Sequence, residues 1–412
     1  MKILLVVDNF YPELGSAAHV YYDLGRALVK RGHEVHVITM YPRRFYLPAE
    51  NQGRPFPMDE TIAGMQVHRC RFKFAYRENV LLRGLEHFLV PNLYFQRYKK
   101  LQLKFDGIIL YVPPLPLYRM ANRIRSYDGT RCVLNFQDIH PQELIDVGMA
   151  KNPLVIKFLE YLERRAYQTA DFITVLSPAG VDLIVERGGN PDWIQHIYNS
   201  IDLEELEENL KKQDYKQLEG IEDKILVSYA GIINSFQGID NILDVAKRFR
   251  ADDNFIFYIV GDGMETKRLK KRIEDESINN VVMKPLQPKD VYFNIINSSD
   301  ISIISLDSRM TAPCLPGKFA NLLGAGQKII ASVPYVNDVA KIVTNNKCGI
   351  AVQPGNLPQF EQTIRTLMDG GKKTSYMRRN ARRFLEKNMN LEMTSRRYEE
   401  IFTTLSNMGH TE

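Results

Sequence analysis

Cysteine is scarce in this chain. Its 412 residues include four cysteines, Cys70, Cys132, Cys314 and Cys348, and no two of them form a CxxC pair. Zinc knuckles and disulfide-rich scaffolds need closely spaced cysteines, so we expect neither. Isolated cysteines of this kind are typical of reduced thiols in a cytosolic protein.

Long apolar stretches are missing too. No window approaches the roughly 18 consecutive apolar residues that a membrane-spanning helix needs. The apolar run in the amino-terminal MKILLVVDN ends at Asp8 and is too short for the core of a signal peptide. We therefore expect a cytoplasmic protein, with any peripheral contact made at the inner face of the cell membrane.

Several familiar catalytic signatures are also absent. The sequence has no GxSxG, no HExxH and no GxxxxGK[ST], and its eight histidines are scattered. A serine hydrolase and a metalloenzyme are therefore poorly supported, and we expect no metal and no cofactor. The net charge of +5 is too small for a protein that coats nucleic acid, but it suits phosphate ligands or an anionic membrane surface.

What the sequence does contain is a regular alternation of short apolar runs and amphipathic helical stretches. The runs in the first half are KILLVV, HEVHVIT, DGIILY, RCVLNF and FITVLS, and those in the second half are KILVSYAG, NFIFYIVGDG, NNVVMK, DISIIS and QKIIAS. This alternation predicts an α/β fold with two doubly wound, Rossmann-like domains. Such sheets bind ligands beyond the carboxyl ends of their strands, so we expect the two domains to face a cleft.

The charged, strand-free stretch DLEELEENLKKQDYKQLEGIED separates the two halves. We therefore predict an amino-terminal domain over residues 1–200, a surface linker over 201–223 and a carboxy-terminal domain over 224–385. A last helix, over 386–412, is expected to pack back on the first domain.

Glycine-marked turns follow several predicted strands. They read YPELGS, YAGIINSFQG and VGDG, and LPGKFA begins a helix on a lysine. Free N–H groups at a helix start, with a lysine nearby, are typical of phosphate sites, although α/β folds also need glycine at such turns for backbone reasons. Together these turns predict a phosphate-bearing ligand. The candidate residues are Gly15, Ser16, Gly231, Gly261, Gly263 and Lys318.

The sequence LNFQDIHPQEL places Asp138, His140 and Glu143 just after an apolar strand. A carboxylate beside a histidine at the end of a strand can position or deprotonate a hydroxyl group. The alternative is a polar loop in which an aspartate caps the next helix.

Residues 79–104 combine Leu, Phe and Tyr with Arg and Lys and contain little acid. They form either a core-facing helix with a solvated basic face or an amphipathic patch for a membrane surface or a lipid acceptor.

A family resemblance is carried by several longer stretches. They are YPELGSAAHVYYDLGRALVKRGHEVHVIT, YVPPLP, QDIHPQELIDVGM, LERRAYQTADFITVLSPAG, YNSID, YAGIINSFQGIDNILDVA, IVGDG and LPGKFANLLGAGQKIIAS. In their order and spacing the chain resembles the retaining family-four glycosyltransferases of the GT-B fold over nearly its whole length. It is especially similar to the bacterial subgroup that builds O-antigen and capsule, which includes L-fucosamine transferases. The resemblance implies that the first domain binds an acceptor and the second a nucleotide-sugar donor.

The resemblance also implies that the donor diphosphate lies in the second domain. Family members supply an Arg and a Lys there, from positions that Ile232 and Gln237 occupy in this sequence, within the segment GIINSFQG that also contains Asn234. Lys318 then becomes the main counter-charge for the diphosphate, assisted by Arg309.

A second departure concerns the donor ribose. The family often has two glutamates there, and this sequence has Pro313 and Asn321 at those positions. Asn321 can still contact a hydroxyl group, but recognition of the ribose by a carboxylate is lost.

The leading interpretation is a hexosyl- or N-acetylaminosugar transferase that uses a nucleotide-diphosphate sugar, with a UDP-sugar favoured. The acceptor is expected to be a glycan or a lipid-linked molecule of surface polysaccharide or glycoconjugate synthesis, and no nucleic-acid partner is expected. In the retaining mechanism that the resemblance implies, donors at Gly15, Gln237 and Lys318 stabilise the departing diphosphate, which itself takes the acceptor proton. The alternatives are a nucleotide-sugar epimerase of the same fold and a catalytically silent paralogue that binds a nucleotide-sugar.

Overall fold

The computed structural model describes residues 1–13, 15–43, 47, 51–72, 80–210, 214–370 and 372–408. Over these residues, fourteen strands, β1 to β14 in chain order, form an eight-stranded sheet and a six-stranded sheet. The strands are Lys2–Val6, Glu34–Met40, Asp59–Ile62, Met65–Cys70, Gly107–Val112, Cys132–Phe136, Phe172–Val175 and Ile194–His196 in the first sheet, and Ile225–Ala230, Phe255–Val260, Val281–Lys284, Ile301–Ser305, Ile329–Ser332 and Gly349–Val352 in the second.

The described helices are labelled α1 to α16 in chain order. They are Ser16–Lys30, Val80–Leu101, Tyr118–Asp128, Gln142–Asp146, Pro153–Thr169, Pro178–Glu186, Leu203–Leu210, Tyr215–Glu219, Asp240–Arg248, Thr266–Asp275, Lys289–Ser298, Lys318–Gly324, Asp338–Asn345, Leu357–Asp369, Lys372–Asn388 and Leu391–Met408. No helix among the described residues has both the length and the apolar character needed to cross a bilayer.

Both sheets have the strand order of a doubly wound fold. The first is ordered β3-β4-β2-β1-β5-β6-β7-β8, and its described strand pairs are parallel except for the β3–β4 hairpin. The second is ordered β11-β10-β9-β12-β13-β14 and is parallel throughout. The predicted pair of Rossmann-like α/β domains is confirmed.

The chain divides into two units, one around each sheet. Unit 1 contains residues Met1–Pro141, Asn152–Ser200 and Leu391–Glu412, and unit 2 contains Gln142–Lys151 and Ile201–Asn390. The predicted domain over 1–200 therefore lacks a short piece, because α4 and the residues after it belong to unit 2. The predicted end of the second domain at 385 falls inside α15, which continues to Asn388.

The stretch predicted as a surface linker, 201–223, is instead part of unit 2. It contains α7 and α8, which bury Leu206 and Tyr215. The sequence of this stretch is mostly charged, so these two buried apolar side chains are easily overlooked. They attach the two short helices to unit 2. Residues 211–213 of this stretch lie outside the described residues.

Helix α1 ends in a turn that depends on glycine. Gly32 has a φ of 85°, its N–H donates to the Val29 carbonyl at 2.9 Å, and the next N–H, of His33, donates to the Leu28 carbonyl at 3.1 Å. This pair of bonds is a Schellman motif, which requires a left-handed residue and so favours glycine.

Helix α16 completes the core of unit 1. Phe402 is fully buried, and a Cβ placed on Gly107 would lie 2.4 Å from its ring. Glycine at the first position of β5 is therefore what lets this aromatic ring lie against the sheet.

Helix α2 covers most of the segment in which a membrane patch was one interpretation. Its side chains Val90, Tyr94 and Tyr98 are buried in the core of unit 1, as in a core-facing helix. Residue 79 lies outside the described residues, as do the side chains of 80–85.

Candidate functional site

The loops after β9 and β10 lie against each other at the carboxyl edge of the second sheet. The Ile233 N–H donates to the Asp262 carbonyl at 2.9 Å. A Cβ on Gly261 would lie 1.8 Å from the Gly231 oxygen, and a Cβ on Gly263 would lie 2.1 Å from the Ile233 oxygen. Glycine at 261 and 263 is thus required by backbone packing between the loops, whether or not a phosphate binds there.

Lys318 is the first residue of the seven-residue helix α12, and it extends toward the same loops. Its Nζ atom lies 3.6 Å from the centroid of the Tyr229 ring and donates to the Gln237 Oε1 atom at 3.2 Å. A Cβ on Gly231 would come within 3.1 Å of this ammonium group. Gly231 therefore leaves open the space that the lysine head group occupies.

Tyr229 is the part of this cluster that sequence reasoning missed. Its ring is buried, and its hydroxyl lies 2.8 Å from the Ile232 carbonyl oxygen and 3.0 Å from Gln237 Oε1. The tyrosine thus supports the lysine through its ring face, a favourable cation–π position, and orients the Gln237 amide through its hydroxyl. The only sequence signal was an aromatic residue with a polar tip near the end of a buried strand.

The electrostatics of Lys318 are unusual. Burial lowers the pKa of Lys318 from 10.5 to about 7, and the negative charge of a Cys314 thiolate would oppose this shift only in part. No carboxylate of the described residues forms an ion pair with its Nζ atom, so the amide oxygen and the ring face are what stabilise the charge. An anion that binds here stabilises the protonated form of the lysine, because it supplies the missing counter-charge.

The loop that leads to Lys318 is held by Asp146, which ends α4. Its carboxylate accepts hydrogen bonds from the Thr311 N–H at 2.6 Å, the Ala312 N–H at 2.8 Å and the Thr311 hydroxyl at 2.9 Å. Charge-assisted bonds to two successive backbone amides fix the path of that loop. Segment 142–151, which belongs to unit 2, therefore holds the loop that precedes Lys318 in the chain.

Three other residues predicted for the donor site make different contacts. Arg309 forms a two-point ion pair with Asp307, at 2.8 and 3.0 Å, so its charge is already compensated. The Asn234 side chain accepts from the Phe236 N–H at 3.1 Å and caps the turn that carries Gln237. Asn321 lies three residues after Lys318 in α12, which places both on the same side of that helix.

The predicted residues of unit 1 follow strands β1 and β6. Gly15 has a φ of 140° with open space beside its Cα, and Ser16 begins α1. Burial raises the pKa of Asp138 and lowers the pKa of His140, while the attraction between the two groups opposes both shifts. The His140 Nδ1 atom is buried and has no hydrogen-bond partner among the described residues.

Comparison with known proteins accounts for both units. Residues 15–200 match the family model of the glycosyl transferase 4-like domain, and residues 211–384 match that of the glycosyl transferases group 1. The chain is a glycosyltransferase. A relative of similar length is the putative colanic acid biosynthesis glycosyl transferase WcaI of Escherichia coli (strain K12), which is 25% identical over 408 residues, spanning 94% of this chain and 97% of that protein.

Solved structures show the same GT-B fold for this glycosyltransferase. Anabaena Alr3699/HepE in complex with UDP-glucose has a TM-score of 0.71 at 15% identity and covers 98% of this chain and 100% of its own. Sucrose-phosphate synthase (tll1590) from Thermosynechococcus elongatus has a TM-score of 0.76 at 14% identity, with 99% of both chains covered. At such identities the likeness concerns the fold.

Proposed function

We propose that this glycosyltransferase transfers a sugar, a hexose or an N-acetylated aminosugar, from a UDP-sugar to a glycan or lipid-linked acceptor, with retention of anomeric configuration. Two relatives support the biological setting and the donor. The name of the Escherichia coli relative refers to colanic acid biosynthesis, and the Anabaena relative was crystallised with UDP-glucose. We therefore assign the reaction to the synthesis of a surface polysaccharide.

The observation that carries the proposal is Lys318. It is a lysine to which no carboxylate of the described residues is paired, and it lies on a tyrosine ring at the carboxyl edge of a parallel sheet, where such sheets bind their ligands. The diphosphate of a nucleotide-sugar carries the charge that this position lacks. The Lys318 ammonium group then stabilises the negative charge that grows on the leaving diphosphate as the glycosidic bond breaks.

Lys318 supplies positive charge that positions 232 and 237 lack in this chain, and the Gln237 amide can still form a hydrogen bond. Because a protonated lysine neutralises the leaving group directly, we infer that turnover needs no divalent metal. For unit 1, we propose separately that Asp138 and His140 bind the acceptor hydroxyl. The proton of that hydroxyl is taken by the departing diphosphate.

The test is sugar transfer by the full chain. UDP release should require both a UDP-sugar and a lipid extract containing the acceptor, and it should persist with excess chelator. The matched pair of variants is Lys318→Ala and Lys270→Ala. Lys270 is an exposed lysine of α10 that makes no ion pair with any residue the structure describes, and its loss should leave turnover unchanged.

Each other outcome has its own interpretation. Conversion of the UDP-sugar to its epimer without any acceptor would assign the site to an epimerase. Binding of UDP-sugar without turnover on any acceptor fraction would indicate a silent binding protein. Equal activity of Lys318→Ala and Lys270→Ala would remove the basis of the proposal.

A further inference from the structure

Helix α5 of unit 1 exposes a continuous apolar stripe. The exposed fractions of its side chains are 77% for Leu154, 48% for Val155, 48% for Phe158 and 59% for Tyr161. Positions spaced by three and four residues lie on one face of a helix, so these four side chains form one surface. The buried residues Leu162 and Ala166 lie on the other face and attach the helix to its unit.

The stripe continues onto the neighbouring helix α2. The ring of Phe88 stacks on that of Phe158, with centroids 6.0 Å apart, and the adjacent Leu89 is also exposed. Two helices thus contribute to a single apolar surface, which we call the α5 face. Apolar surfaces of this kind, bordered by polar residues, usually mark a contact with a partner or a membrane.

The charges around the α5 face indicate what covers it. Lys157, Arg164 and Arg165 are exposed, and none forms an ion pair with a carboxylate of the described residues. Glu160 is the one exposed acidic residue of α5. A surface with aromatic and aliphatic side chains in the centre, and free cations along its side, complements anionic head groups above hydrocarbon.

We propose that the α5 face docks this glycosyltransferase on an anionic lipid bilayer. Leu154, Val155 and Phe158 enter the boundary between head groups and acyl chains, and Tyr161 lies at the level of the head groups, where its hydroxyl stays hydrated. The three cations contact lipid phosphates. A second copy of the chain fits this surface poorly, because a two-fold interface would bring the same unpaired cations together.

Membrane docking goes beyond the proposed function. Its test needs neither donor nor acceptor, so docking and sugar transfer can be refuted independently. The full chain is sedimented with vesicles of phosphatidylcholine alone and with vesicles that also contain phosphatidylglycerol. The protein should bind the second kind, and added salt should release it, because screening shortens the reach of surface charges.

Two variants of the α5 face are compared with two matched controls. Lys157→Gln/Arg164→Gln/Arg165→Gln should weaken binding by roughly a hundredfold, since each of the three cations near an anionic leaflet contributes about fivefold. Its control is Arg379→Gln/Arg383→Gln/Lys387→Gln, which removes three exposed cations of α15 that form no ion pair within the described part of the chain. That control should bind like the unaltered chain.

The apolar variant is Leu154→Ser/Val155→Ser, and its control is Leu218→Ser/Leu286→Ser, at two exposed leucines of unit 2. The first should lose at least tenfold in binding and the second nothing. All four residues are exposed, so folding is little affected, and melting temperatures will check this.

Three outcomes would overturn the proposal. One is that the unaltered chain ignores anionic vesicles at low salt. Another is that both α5 variants bind like their controls. The third is a dimer in sedimentation velocity that Leu154→Ser/Val155→Ser dissociates, which would assign the face to a second copy.

Discussion

The affinity for a UDP-sugar should depend on pH through Lys318. The diphosphate binds the protonated lysine, and burial holds the pKa of Lys318 at about 7 in the ligand-free protein. Binding must therefore be accompanied by proton uptake at any pH above that value. Below pH 7 the lysine is already charged, and affinity should be constant.

The magnitude follows from linkage. Each pH unit above the pKa lowers the protonated fraction tenfold and so weakens binding about tenfold, or about 1.4 kcal/mol. Between about pH 6 and pH 8.5 the dissociation constant should rise about thirtyfold, with the bend near pH 7. UDP-glucose is the suitable ligand, because both ends of its diphosphate are esterified and its phosphate charge does not change over this range.

Isothermal titration calorimetry measures the effect in two ways. The dissociation constant gives the pH profile, and titrations in buffers of different ionisation enthalpy count the protons taken up, which should approach one per ligand at pH 8.5. Lys318→Arg is the control, since a guanidinium group stays protonated throughout, and its profile should be flat.

The stability of the ligand-free protein gives an independent check. Because the folded pKa of Lys318 is below its unfolded value, the charged lysine destabilises the fold, and this penalty is full below pH 7 and disappears as the pH rises toward 10.5. Lys318→Met should therefore bind UDP-glucose much more weakly and still melt no lower than the unaltered chain at pH 6. A pH-independent affinity, or the same slope in Lys318→Arg, would refute the reasoning.

Further predictions concern turnover and the fold. Lys318→Ala should lower kcat/KM by about a hundredfold or more, the usual effect of removing one charged donor to a leaving group, and steady-state kinetics will measure it. Asp146→Asn should lower stability by about 1.5 kcal/mol in urea denaturation, because the neutral amide weakens the two N–H bonds that share Oδ2 and puts an NH2 group where Oδ1 accepts from the Gln142 amide, and an unchanged midpoint would contradict the role of this carboxylate. Gly107→Ala should cost about 1–3 kcal/mol through contact with Phe402, and adding Phe402→Leu should restore part of it, whereas an equal loss in the double variant would point to another cause.

The ease of predicting the fold varied between strands. Each apolar run that was predicted to be a strand contains one of the observed strands. Strands buried on both faces consist of almost continuous apolar residues and are easily recognised. The hairpin of β3 and β4 was missed, since DETI and MQVHRC are mixed in character and only an Ala63-Gly64 turn with positive φ at both positions links them. The short edge strands β8 and β14 carry equally little signal.

That Lys318 and Gln237 lie together was predictable from the sequence, but the contacts around them were predictable only in part. Lys318 and Gln237 do lie together, as strand-end turns of one sheet should. Tyr229 was missed because its ring supports the lysine from a strand that looks like any other buried strand. The ion pair of Arg309 with Asp307 was also unpredictable, since a choice between local and distant partners depends on side-chain positions.

Helix α16 belongs to unit 1 but is made last, and this affects how the chain folds during synthesis. The ribosome makes the first sheet early, but residues 391–408, which place Phe402 against Gly107, follow only after all of unit 2. At roughly 5–20 residues per second, unit 1 spends that interval with part of its apolar surface uncovered. Unit 2 has its own helices between Ile201 and Asn390, so the later half of the chain can pack first. Chaperones should therefore bind the nascent chain mainly through the α1 side of the first sheet, where α16 has yet to arrive.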